Sequence, residues 1–163
     1  MSDPLTAIEK IEVAFAAMLA AYTPLAGVTI SRDWSVLEAP EADPVEGAPV
    51  RTILIYTTGY TPSQADEQNQ TLHRARIEFE CIGPVNSAGG ISHHEHLMIA
   101  YCVAAIAADR TLGGRLVDTQ EVDVAGTTGT GKDVASTSLG VAVEFFTPRN
   151  DWFTILGQSG GNF

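Results

Sequence analysis

The sequence predicts an α+β protein: a small antiparallel or mixed β-sheet with two main helices packed on one face, plus long hairpin or loop arms. Three observations carry this. Apolar residues recur at spacings of three and four over residues 4–22 and again over 92–108, which marks two amphipathic helices. Ala75, Ile77, Phe79 and Cys81 alternate with Arg74, Arg76, Glu78 and Glu80, so one face of that strand is apolar and the other wet. The element order is α, β, β, β, α, β, β, without the regular β-α-β alternation of a parallel sheet.

The first helix is expected over residues 4–22, with Ile8, Ile11, Phe15, Met18 and Tyr22 on one stripe. Ser2 or Asp3 is the expected cap, Pro4 suits the first turn, and Pro24 and Gly27 end the helix. A short strand follows at 28–31. Residues 39–49 hold Pro40, Pro44 and Pro49 with the carboxylates Glu41, Asp43 and Glu46, a composition that predicts a solvated loop. Residues 50–56 form a β-branched, mostly apolar strand, and the polar stretch 57–70, with Gly59, Pro62 and Asn69, reads as a long hairpin arm or mobile loop. In the second helix Ile99, Val103 and Ile106 repeat at helical spacing, while Leu97, Met98 and Tyr101 widen the apolar face. Residues 111–114 close it. Strands follow at 116–124 and 136–146, joined by a Gly- and Thr-rich hairpin tip at 125–133 that is expected to be flexible. With no internal repeat and no linker, one domain over 1–163 is expected, its core at about 4–149 and a tail at 150–163.

A chain of 163 residues can bury a core of its own, and the 45% hydrophobic content argues against wholesale disorder. No apolar stretch reaches the roughly 20 residues of a membrane span, and no secretory leader is recognisable, so the mature protein is expected to start near Met1, with no membrane partner. Cys81 and Cys102 sit inside apolar patterns and are expected to be reduced packing residues. Twenty acidic against nine basic residues leave a formal charge of −11 with the Lys and Arg scattered, which disfavours a static grip on nucleic acid but not a surface that DNA slides past.

Residues 126–133, Gly-Thr-Thr-Gly-Thr-Gly-Lys-Asp, approach a phosphate-binding loop but fail at the last position. Asp133 stands where a magnesium-ligating hydroxyl is needed, and a strand pattern follows where a helix N-terminus should hold the anion. His93, His94, Glu95 and His96, with His73 as a further candidate ligand, resemble a metal cluster, yet only His93 and His96 share a helix face, three apart; a polar helix start is the expectation. Neither cysteine lies in an electropositive context and no serine lies in a nucleophile elbow, so no catalytic residue, cofactor or metal is assigned.

Three groups of residues carry a family resemblance. The opening helix leads into Gly27-Val28-Thr29-Ile30-Ser31-Arg32; the second helix exits through Asp109-Arg110-Thr111-Leu112-Gly113-Gly114 into a strand; and the last strand closes as Glu144-Phe145-Phe146-Thr147-Pro148-Arg149. In these the chain resembles the tail terminator, or tail completion, proteins of long-tailed bacteriophages and gene transfer particles, over roughly residues 4–149. The Pro- and Glu-rich insertion before Val50 and the tail depart from the shorter family pattern. The resemblance implies a non-enzymatic virion protein, assembled in the host cytoplasm, that forms a homo-oligomeric, hexameric ring at the head-proximal end of the tail tube. Its implied partners are the tail-tube protein and a head-completion or connector protein, with DNA passing through the lumen without specific binding. A head-completion or tail-tube protein of the same particle is the alternative, and a small metal-dependent enzyme a more distant one. Ring closure needs two different patches on each subunit. The candidate interface or lumen residues are Glu41, Asp43, Glu46, Tyr60, Gln64, Asp66, Glu67, Lys132 and Asp133.

Overall fold

A computed structural model of the chain describes residues 3–33, 51–65, 69–84, 93–127, 134–158 and 160–163. Helix α1 (Ala7–Ala21) is followed by a 3-10 turn (Thr23–Leu25) and β1 (Thr29–Ser31), and then, among the described residues, by β2 (Thr52–Ala65), β3 (Gln70–Pro84), α2 (His93–Ala108), β4 (Asp118–Thr127) and β5 (Val134–Pro148). The strands form one mixed sheet in the order β1-β2-β3-β5-β4. β1 runs parallel to β2, and every other neighbour pair is antiparallel. This is the α+β class expected, with both helices contributing to one core on one face of the sheet.

The cap of α1 corrects the expectation of Ser2 or Asp3. Thr6 precedes the helix, and the Glu9 carboxylate accepts hydrogen bonds from the Thr6 amide and hydroxyl, each at 2.7 Å. These bonds, the backbone one first, hold the Glu9 pKa below the usual carboxylate range. Thr6-x-x-Glu9 is the capping-box spacing, which leaves Pro4 ahead of the helix. The buried stripe of α1 runs through Ala7, Ile11, Phe15 and Leu19. Phe15 meets Phe79 of β3 edge to face, with centroids 5.3 Å apart. In α2 the buried line is Glu95, Met98, Ile99, Cys102, Ala105 and Ile106, centred on Cys102 with Val103 only half-buried.

The stretch 57–70 is largely strand: β2 pairs with β3 out to Ala65↔Gln70. Pro62 is tolerated because β1 covers only Thr52 to Leu54, so beyond that point β2 is an edge among the described residues. A bulge between Thr57 and Gly59 switches which side chains face the helices. Ile53, Ile55 and Thr57 lie opposite inward-facing Cys81, Phe79 and Ile77, and past the bulge Tyr60 takes that role opposite Ala75. Strands β3 and β5 pair along their full 15 residues, and Ile77, Phe79, Leu139, Val141, Val143 and Phe145 supply the sheet's share of the core. The tail returns to the body: Leu156 bridges Phe146 and Asn162, and Ile155 is fully buried in the core.

Candidate interface surfaces

The helix exit that carries the resemblance forms a tightly tied corner. Asp109 turns back on the chain: Oδ1 accepts from the Thr111 amide (3.2 Å) and hydroxyl (3.0 Å), and Oδ2 from the Gly113 amide (2.6 Å). Leu112, Gly113 and Gly114 all take positive φ, at 51°, 69° and 83°, which explains the glycine pair. The strained Leu112 is anchored by burial in the core. Arg110 fastens the corner to β4 through Asp118 (3.0 Å) and the Thr119 carbonyl, while the Thr119 hydroxyl donates back to the Arg110 carbonyl (2.7 Å). Arg110 keeps the Asp118 carboxyl below its ordinary pKa. The tail docks here too, by Gln158 N–H to the Gly114 carbonyl (2.9 Å) and by Phe163 under the Arg115 guanidinium, 4.4 Å from the ring centroid.

A second built region lies toward the turn end of the β2–β3 hairpin. His73, fully buried, stacks on Tyr60 (5.3 Å) and on Phe145 (4.9 Å), which also meet each other at 6.4 Å, with Trp152 edge-on at 5.2 Å. Its Nδ1 meets the Tyr60 hydroxyl at 2.7 Å and its Nε2 the Thr147 hydroxyl at 2.8 Å. Burial lowers the His73 pKa and raises that of Tyr60. The turn end of the hairpin is tied to the exit of β5 by Arg149 N–H to the Asn69 carbonyl (3.0 Å), and a polar groove of about 430 Å³ opens beside it between Ser63, Thr71, Arg149 and Trp152.

Of the nine candidate interface or lumen residues, Tyr60 alone has a described side chain: half-buried, it belongs to this aromatic cluster. Gln64 lies in β2, and only its backbone pairing, with Thr71, is described. Glu41, Asp43, Glu46, Asp66, Glu67, Lys132 and Asp133 fall outside the described residues, as does most of the 126–133 loop. His73 does not join the histidines of α2, because both its ring nitrogens are engaged in the aromatic cluster. The start of α2 differs from the polar one expected. His93 and His96 are exposed, but Glu95 is fully buried, with neither carboxylate oxygen hydrogen-bonded, and its Oε1 lies 2.7 Å from where a Cβ on Gly83 would stand. Among the described residues no cluster of three or more His, Cys, Asp or Glu is arranged to hold a metal ion. Sequence reasoning missed Thr147, Trp152 and the role of His73; His73 shares the odd-numbered, inward register of Ala75 and Ile77, and that parity was the available signal.

The remaining surfaces are the sheet edges. The outer edge of β2 beyond Leu54 and the outer edge of β4 have no strand partner among the described residues. Arg76 bonds Glu78 (2.6 Å) and Asp123 (2.5 Å), and Arg74 bonds Glu144 (2.6 Å), on the face away from the helices. The class defined by this geometry is a two-layer α+β protein with one helix-covered sheet face, one charged face and two open edges. No protein-family model matches the chain, and no curated protein is similar to it.

Proposed function

We propose that the chain is a structural subunit of a closed ring, a tail terminator that caps the head-proximal end of a long phage tail tube, joins it to the head and lets DNA pass. Six copies per ring follow the family resemblance. The observation that carries the reading is the sheet, whose edges at β2 and β4 have no strand partner among the described residues, since a ring requires two different surfaces per subunit and two unpaired edges are two such surfaces. The corner at 109–114, the most specific part of the resemblance, supports it by tying α2, β4 and the tail into one rigid piece from which an edge can be presented. A formal charge of −11 suits a passage that DNA must not adhere to. The reading assigns no chemistry to the chain: Cys81 and Cys102 are buried, and His73 is held by hydrogen bonds at both nitrogens.

The test is electron microscopy of particles assembled without this protein. Tails of irregular length, or tails unjoined to filled heads, are expected. Tails of normal length joined to filled heads would overturn the terminator role.

A further inference from the structure

Two exposed apolar surfaces of opposite electrostatic character lie on different parts of the molecule. Leu5, Val13 and Phe163 are 40%, 41% and 38% exposed and line an open groove of about 330 Å³ on α1. The groove also takes Lys10 and Arg115. Lys10 Nζ donates to the carbonyls of Phe153 (2.7 Å) and Phe163 (3.2 Å), and Arg115 lies over the Phe163 ring. Neither cation closes an ion pair with a side-chain carboxylate among the described residues, and the Lys10 charge reaches Asp151 only at longer range.

The second surface is β4. Val122 and Val124 are 52% and 55% exposed, the most open large apolar side chains among the described residues; along the same edge strand the register puts Glu121 on the face of Val124, and Asp118 and Asp123 on the face away from the helices. Arg76 and Arg110 answer these carboxylates only in part, three negative charges against two positive. The bulge at Val122 breaks the regular edge, which opposes simple strand addition and leaves the side chains as the means of docking.

We propose that the apolar, basic groove of α1 and the tail receives the apolar, acidic outer edge of β4 from a second copy of this chain, and that this contact is the repeating joint of the ring. The inference rests on the ring reading above. Each surface offers what the other lacks: valines for the groove, and carboxylates for Lys10 and Arg115. Because the two patches differ, every bound copy leaves one of each unfilled, and the contact propagates until a ring closes. An acidic edge also repels nucleic acid, which turns the joint toward protein.

The test mixes Val13→Cys protein with Val124→Cys protein and adds a bifunctional maleimide; native Cys81 and Cys102 are buried. Covalent pairs should form in the mixture at least tenfold more than in either variant alone. Val13→Asp and Val124→Asp, both at exposed positions, should each weaken self-association at least tenfold in native mass spectrometry, with unchanged circular dichroism. Rings that persist in both aspartate variants, or cross-links within either single cysteine variant as strong as in the mixture, overturn this joint and leave the ring reading standing. Mixed cross-links confined to open chains uphold the joint and overturn ring closure. A chain that stays monomeric at every salt and protein concentration overturns both.

Discussion

Within the aromatic cluster, hydroxyls meet both ring nitrogens of His73, Tyr60 at Nδ1 (2.7 Å) and Thr147 at Nε2 (2.8 Å). A neutral imidazole donates from one nitrogen and accepts at the other, and a hydroxyl can do either, so both contacts are satisfied by the uncharged ring. The folded protein holds a neutral ring, with its pKa lowered by burial from the ordinary 6.5. The unfolded chain therefore binds the proton first. Stability from His73 is complete above about pH 6.5 and falls as pH drops from there toward the lowered folded value. Urea midpoints for the native chain and His73→Phe, measured from pH 8 to 5, should diverge below that point, with the native chain falling more steeply; parallel curves would refute the assignment. Phe79 poses a simpler case. Fully buried against Phe15, its replacement by Ala should cost about 3–5 kcal/mol in denaturant unfolding, and a loss below about 1 kcal/mol would remove it from the core.

Between elements, Glu12 does what the apolar stripe alone does not reveal. Its carboxylate accepts from Arg32 (2.6 and 3.0 Å) and from the Thr57 hydroxyl (2.7 Å), so one side chain joins α1 to the exit of β1 and to β2. Glu12→Ala should lower stability by about 1.5–3 kcal/mol, the range for hydrogen bonds to charged groups, and Glu12→Gln by less. Gly114→Ala, which meets no neighbour within 4 Å, should cost about 1–2 kcal/mol from positive φ alone. Equal stability of the alanine variant in thermal unfolding would contradict that strain. The same elements show where sequence reading reaches and stops. The alternation around Phe79 made β3 legible, and its parity extends from Gln70 to Pro84. Burial of Glu12 and Glu95 was illegible, because whether a carboxylate enters a core depends on groups far away in the chain, Arg32 and Thr57 in one case and Gly83 in the other. The facing of Tyr60 was hidden for a related reason: a one-residue bulge at Thr58 inverts the parity of everything after it. The candidate surfaces were legible only as polar arms, since the apolar edge at Val122 and Val124 emerges from strand order, which local pattern does not encode.

At the scale of the whole molecule, charge opposes association. Subunits at −11 repel one another, and salt screens that repulsion over a Debye length of about 8–10 Å at physiological strength. Ring occupancy in native mass spectrometry and light scattering should rise as salt increases up to physiological strength. Stronger assembly at low salt would mean that attraction across the joint outweighs the net repulsion. The sheet order bears on timing as well. The β3–β5 pairing, from Gln70↔Pro148 to Pro84↔Val134, encloses α2 and β4 in the loop it closes, so these contacts form late and slowly. Strand β4 has β5 as its sole neighbour in the sheet, and because the two follow one another in the chain they can pair locally as a hairpin that then docks on β3 as a unit. The groove on α1, by contrast, is lined by both Leu5 and Phe163, so a copy can offer it to a neighbour only after the tail has been made and has docked against the first helix.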